Sequence, residues 1–135
     1  MDDILYSRIK KLIPELDALA AGGKPVCLAI VDADLALAAL LRMPGVHPRI
    51  ELMARGKAYT CAKMGCTTAE LNARLHREQL TLADFMDERM TSMQGGVPLL
   101  DDKGNIIAGI GISGRRMDED EALALRVRDF LTAEE

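Results

Sequence analysis

The side chains with the clearest chemical potential in the first half of the chain are a lysine and a histidine. Lys57 shares a predicted helical face with Ala54, Ala58 and Cys61. A lysine within an apolar stripe must extend to solvent, pair with an acidic side chain, or face a ligand. Pairing or solvation is the commoner outcome, and ligand contact is the alternative. His47 precedes this helix in a loop, where a histidine is usually solvated but can also ligate haem iron.

A glycine-rich segment near the C-terminus is a second candidate. Gly109–Gly114 matches the G-x-G-x-x-G pattern of dinucleotide-binding folds. Those folds also need a second parallel strand after the next helix, and this sequence ends too soon to supply one. Acidic residues at the start of the next helix would also repel a pyrophosphate. We therefore interpret the glycines as positions where a helix or neighbouring backbone packs closely on a strand.

No group of residues shows the pattern of a catalytic site. Cys61 and Cys66 have no histidine nearby in sequence to act as a base. Ser113 lacks the context of a nucleophile elbow, and the spacing of the two histidines is not that of a zinc site. We therefore expect a binding protein in preference to an enzyme. A lyase or isomerase acting through Lys57 is the alternative.

Composition argues against two classes of partner. Of the 135 residues, 49% are apolar and only 3% aromatic, and the formal net charge is −4. Nucleic-acid binding normally needs a basic face and often stacking aromatics, so we expect no nucleic-acid partner. No apolar stretch approaches the length of a membrane span. The acidic start of the chain, and three cysteines without a C-x-x-C pair, predict a cytoplasmic location.

Periodicity and turn signals predict one α+β domain over residues 1–135. Apolar residues at three- and four-residue steps indicate helices, and short apolar runs bounded by turn residues indicate strands. The Asp101–Asn105 loop predicts a hairpin, and two hairpins imply an antiparallel sheet. We predict helices over 3–21 (interrupted at Pro14), 49–64, a short stretch capped by Thr67, 81–93, and a last helix capped by Asp118, with strands over 25–31, 37–41, 97–100 and 106–112.

Several motifs occur together in a recognisable order. They are Pro25-Val26 running into Ile30-Val31-Asp32, Arg42-Met43 followed by Gly45, Ala54-x-x-Lys57-Ala58, Gly95-Gly96-Val97-Pro98, and Gly104 to Gly114 followed by Asp118-Glu119. In this order and spacing the chain resembles the GlcG/HbpS-like haem-binding family, which also supplies the C-terminal module of PduO-type corrinoid adenosyltransferases. One departure is the first hairpin turn, where the family's D-x-G-G pattern is replaced by Asp34 and Leu35 at the glycine positions.

The resemblance implies a fold and an assembly. The fold is a three-layer α-β-α sandwich on an antiparallel sheet, of profilin-like type. Family members form homo-oligomers, often octamers, and characterised members bind haem or a related tetrapyrrole. A large apolar fraction in a small chain also suggests that apolar surface is shared between copies. We expect a homo-oligomeric tetrapyrrole-binding protein of carrier or sensor type, or, alternatively, a ligand-free accessory subunit of a metabolic operon or microcompartment.

In the fold that the resemblance implies, the ligand site is expected between the Lys57 helix, the His47 loop and the glycine break before the third strand. Lys57 would pair with a propionate and His47 would ligate the iron. Glycines would let a flat ligand approach the backbone. An internal pair between Lys57 and Asp32, with no cavity, is the alternative. The predicted ligand-binding residues are His47, Lys57, Gly95, Gly96, Ser113 and Arg115, with His47 also the metal ligand.

Overall fold

The computed structural model describes residues 1–133. These residues form five helices and four strands, with short 3-10 turns at Ile13–Glu15 and Leu82–Phe85. In chain order the elements are α1 (Asp3–Leu12), α2 (Leu16–Leu19), β1 (Cys27–Asp32), β2 (Leu37–Arg42), α3 (Ile50–Met64), α4 (Thr68–Glu78), β3 (Gly96–Leu100), β4 (Ile106–Ser113) and α5 (Met117–Thr132).

The four strands form one antiparallel sheet in the order β2-β1-β4-β3. Cys27, at the start of β1, pairs with Arg42 of β2 and with Ser113 of β4. Both predicted hairpins are confirmed, because β1 pairs with β2 and β3 pairs with β4. The sheet is therefore antiparallel throughout, as the turn signals predicted.

Helices cover both faces of the sheet, which confirms the three-layer α-β-α sandwich. Alternate residues of a strand point to opposite faces. Leu28 and Ile30 of β1 pack in the layer formed by α1 and α5. Ala29 and Val31 pack in the layer formed by α3 and the segments around it. Each face thus has its own apolar core.

The glycines of the G-x-G-x-x-G segment bring α3 close to β4. A Cβ atom added at Gly111 would lie 2.7 Å from the backbone nitrogen of Ala58 and closer still to the carbonyl oxygen of Ala54. A Cβ at Gly109 would lie 2.5 Å from the nitrogen of Ala62. These distances are too short for real side chains, so the helix backbone rests directly on the strand. The interpretation of the glycines as packing positions is confirmed.

The predicted helix over 81–93 is wrong. Only Leu82–Phe85 is helical, as a 3-10 turn, and Met86 ends it in the left-handed region with φ 53°. The Asp84 carboxylate accepts from the Thr81 N–H at 2.8 Å and caps the start of this short turn. Beyond Met86, the Asp87 carboxylate accepts from the Arg89 N–H at 3.0 Å, a local bond that competes with continuation of the helix. The apolar spacing that suggested a helix instead serves the core, where Met90 is buried.

The N-terminal cap of the last helix differs from the prediction, whereas the interruption of the first helix is confirmed. The last helix is capped by Arg116, whose N–H bonds the Glu119 carboxylate, and the predicted cap, Asp118, lies inside the first turn. Acidic side chains there still suit the positive end of the helix dipole. Pro14 interrupts the first helix as predicted, because it lies in the 3-10 turn between α1 and α2.

The first hairpin turn uses a strained leucine. The Asp32 carboxylate accepts from the N–H groups of Asp34 and Ala36 and so fixes the turn. Leu35 then takes the left-handed conformation with φ 66°, which costs a branched residue about 1–2 kcal/mol. The turn therefore keeps a glycine-like backbone while presenting a leucine side chain.

Within residues 1–133, no helix is both long enough and apolar enough to cross a lipid bilayer.

Substituting Gly111 tests the close approach of α3 and β4. We expect Gly111→Ala to lower the free energy of unfolding by about 2–3 kcal/mol, because the added methyl group displaces helix backbone. Gly56→Ala is the matched control: a Cβ there meets Thr91 at an ordinary 3.4 Å. It should raise stability by about 0.5–1 kcal/mol through helix propensity. Equal effects of the two substitutions in urea unfolding would contradict this packing.

Candidate functional site

A buried ion pair lies at the end of the sheet where β4 finishes. Lys57 Nζ is 3.3 Å from Asp120 Oδ2 and donates to the carbonyl oxygen of Ile112 at 2.8 Å. The two side chains are only 1% and 2% exposed. Asp120 Oδ1 also accepts from the N–H of Arg115 at 3.0 Å. This set of bonds ties α3 to β4 and to the start of α5.

Burial and pairing act against each other in this ion pair. Burial lowers the pKa of Lys57, and the Asp120 carboxylate opposes that shift. Burial also raises the pKa of Asp120, and Lys57 opposes it. Removing one partner leaves the other charge buried without compensation, a change that costs about 3–5 kcal/mol. Lys57 is therefore paired with an acidic side chain inside the protein, which is one of the outcomes expected from the sequence.

The partner itself is not the one proposed from the sequence. A pair between Lys57 and Asp32 is wrong, because Asp32 instead fixes the first hairpin turn and lies 3.3 Å from the N-terminal amine of Met1. In the sequence, Asp120 is only one of several acidic residues in the first turn of the predicted last helix. No periodic signal joins residues 57 and 120, so their contact was not accessible to sequence reasoning.

Protein atoms fill the space beside the glycine pair before β3. A Cβ atom at Gly95, which has φ 128°, would lie 2.7 Å from both Lys57 Nζ and the carbonyl oxygen of Ile112. A Cβ at Gly96 would lie 2.8 Å from Cys61 Sγ. Both glycines are therefore explained by close packing against α3 and β4.

The remaining predicted site residues lie at the same end of the sheet but face different ways. Ser113 is buried and ends β4. The Arg115 guanidinium donates to the carbonyl oxygens of Lys24 and Ala20, so it fastens the segment before β1. His47 is exposed, and its Nδ1 accepts from the Arg49 N–H at 3.1 Å. Within residues 1–133, His47 makes no hydrogen bond or ion pair with Lys57. A ligand role for these residues stays a prediction.

A groove on the outer side of α3, unlike the space beside the glycine pair, is not filled by protein atoms. It lies between the first hairpin turn, α3 and the loop after the second 3-10 turn, and its volume is about 510 Å³. Pockets for small organic ligands commonly have volumes of 300–1,000 Å³. We call it the α3 groove, and it is lined by Val31, Leu35, Leu37, Leu52, Arg55, Gly56, Tyr59, Glu88 and Arg89.

Part of the wall of the α3 groove is apolar and exposed. Leu52 is 74% exposed on the outer face of α3, and Leu37 is 43% exposed at the start of β2. Leu35 lines the same groove, and its side chain is placed there by the strained turn. Exposed apolar side chains grouped around a cavity are typical of ligand or partner surfaces. Strained backbone is also concentrated at functional sites.

A cluster of hydrogen bonds holds the loop that forms one wall of the groove. Asp87 Oδ2 accepts from the Tyr59 hydroxyl at 2.5 Å and from Lys63 Nζ at 2.7 Å. Asp87 Oδ1 accepts from the N–H of Arg89 at 3.0 Å. The Lys63 ammonium and the Tyr59 hydroxyl hold the pKa of Asp87 well below its usual range. The carboxylate is therefore ionised and fixes the loop to α3.

The charges at the groove favour an anion. Arg55 lines it and has no polar partner within residues 1–133. The Arg89 guanidinium lies over the Tyr59 ring, 4.3 Å from its centroid. Glu88 contributes one opposing negative charge. Since Lys63 already neutralises Asp87, the arginines leave the groove with a net positive formal charge.

A family model described as "Haem degrading protein HbpS-like" matches residues 8–128. The chain therefore belongs to the HbpS-like family, which confirms the resemblance seen in its motifs.

Solved structures agree in fold. A crystal structure of a double mutant of Streptomyces reticuli HbpS has a TM-score of 0.80 and 30% identity, covering 96% of this chain and 86% of that one. A PduOC:heme complex has a TM-score of 0.81 and 25% identity, covering 93% of each chain. The Klebsiella pneumoniae protein ORFY has a TM-score of 0.85 at 19% identity, covering 96% and 91%, and shows the fold alone. No curated protein sequence matches the chain.

Proposed function

We propose that this chain is a cytoplasmic protein that binds haem or a related tetrapyrrole in the α3 groove, as a carrier or sensor. The observation that carries the proposal is the combination of exposed leucines and two arginines around one cavity. Membership of the HbpS-like family supports a tetrapyrrole as the ligand, and the structure of PduOC, 25% identical, is that of a haem complex. Three free cysteines suit a reducing compartment.

The apolar side chains of the groove suit the face of a porphyrin ring. Leu35, Leu37 and Leu52 present branched aliphatic groups from two separate elements. Fully burying an exposed side chain of this kind contributes about 1.5–3 kcal/mol, and Leu52, at 74% exposed, has the most surface left to cover. A flat apolar ring would therefore gain most of its binding free energy from these walls, and the strain at Leu35 would be offset in the bound state.

The polar side chains suit the ligand's anionic edge better than its iron. Arg55 and Arg89 could bind propionates through charge-assisted hydrogen bonds. Tyr59 and Glu88 are the lining side chains with oxygen atoms able to ligate ferric iron. Burial and the neighbouring Asp87 carboxylate raise the pKa of Tyr59, so its phenol keeps its proton. Bound haem would supply redox or gas-binding chemistry, and these residues hold and orient the ring.

Haemin titration followed by the Soret band tests this proposal. We expect wild-type protein to bind, and Leu52→Asp to weaken binding at least tenfold, because it removes an apolar wall and adds a negative charge. Ile4→Asp is the matched control, since Ile4 is 65% exposed on α1, across the sheet. It should bind haemin as wild type does.

The His47→Ala variant separates the two candidate locations. Unchanged binding by this variant is expected if haem lies in the α3 groove. Loss of the Soret shift in His47→Ala, with Leu52→Asp unaffected, would instead place the ligand at the end of the sheet predicted from sequence. Absence of binding by wild type would overturn tetrapyrrole binding and favour a ligand-free accessory subunit. Lys57 is unsuitable as a probe, because its removal unbalances a buried ion pair.

We also propose that the protein is a homo-oligomer, possessing eight copies if it follows the common family pattern. Both edge strands, β2 and β3, have one side without a strand partner among the described residues. Open edges and exposed apolar side chains such as Met86 favour association. Light scattering at micromolar concentration should give a multiple of the 14.7 kDa chain mass. A mass of one chain would contradict the proposal.

A further inference from the structure

One arginine of the α3 groove is held in place before any ligand arrives. The N–H of Arg89 bonds Asp87 Oδ1 at 3.0 Å, and its Nε approaches the same oxygen at 3.4 Å. Its guanidinium lies over the Tyr59 ring at 4.3 Å. Within residues 1–133, its two terminal nitrogens have no hydrogen-bond partner. The side chain is 70% exposed, so these nitrogens are accessible to a ligand.

The residues that hold Arg89 are themselves fixed. Asp87 is 7% exposed and receives hydrogen bonds from Tyr59 and Lys63, which anchor it to α3. Lys63 approaches Asp87 more closely, at 2.7 Å, than Arg89 Nε does at 3.4 Å. The negative charge of Asp87 is therefore matched mainly by Lys63. Asp87 and Tyr59 orient Arg89, but most of the positive charge of its guanidinium is not neutralised and can attract another anion.

We propose that Arg89 binds a free carboxylate of the tetrapyrrole and makes the site selective for ligands with ionised propionates. Tyr59 and Asp87 are positioning residues in this proposal, since they act through Arg89. An arginine already held in its bound conformation loses less rotational freedom on binding, and two parallel N–H groups match a carboxylate. The inference rests on the proposed function, because it specifies which ligands the α3 groove accepts.

A comparison of two ligands separates this role from a structural one. Haemin carries two free propionates, and iron protoporphyrin IX dimethyl ester has the same ring without those charges. Arg89→Ala should weaken haemin binding about tenfold, the loss of one charge-assisted contact, and leave ester binding unchanged. Tyr59→Phe keeps the ring under the guanidinium but loses the bond to Asp87. It should weaken haemin binding about threefold, again without an effect on the ester.

Matched controls address charge and folding. Arg126 is an exposed arginine on α5, on the opposite side of the sheet, so Arg126→Ala removes the same charge at a distance. It should bind both ligands as wild type does. Glu88→Gln removes the opposing charge at the groove and should strengthen haemin binding relative to ester binding.

The outcomes distinguish this inference from the proposed function. Equal losses for haemin and ester in Arg89→Ala would show a structural role and overturn the inference. Unchanged haemin binding in Arg89→Ala would also overturn it, while binding in the groove could still stand through Leu52. Failure of wild type to bind either ligand would overturn the proposed function itself.

Discussion

The direct contact between the α3 backbone and strand β4 is the constraint on which the rest of the structure depends. Because Gly109 and Gly111 carry no side chain, the helix lies against the strand at backbone distance. At that distance Lys57 reaches the end of β4 and Asp120 beyond it. The outer face of the same helix then presents Arg55 and Tyr59 to the groove. The close packing of α3 on β4 thus orients both faces of the helix.

Much of the fold could be predicted from sequence because its signals are local. The Asp101–Asn105 loop and the interruption at Pro14 are encoded by residues that are neighbours in the chain. Motif order then placed the chain in its family, which supplied the arrangement of layers. The prediction of a helix over 81–93 is wrong because apolar spacing alone does not register side-chain competition after Met86, where the Asp87 carboxylate accepts from the Arg89 N–H.

The α3 groove was not predicted because its walls come from three separate segments. The hairpin turn supplies Leu35, α3 supplies Leu52 and Arg55, and the loop after the second 3-10 turn supplies Arg89. Because the sequence predicts a helix in that loop, it gives no indication of the hydrogen-bond cluster around Asp87. One local signal was available: a leucine stands where the family favours glycine in the first turn. A side chain kept there despite a left-handed backbone indicates a use for it.

A crystal structure of the protein with haemin tests the location of the ligand most directly. Anomalous scattering from iron gives the position of the metal independently of side-chain interpretation. We expect an iron peak within the α3 groove, with the ring edge toward Arg89. A peak beside His47 or Ser113, at the end of the sheet where β1 begins, would contradict it.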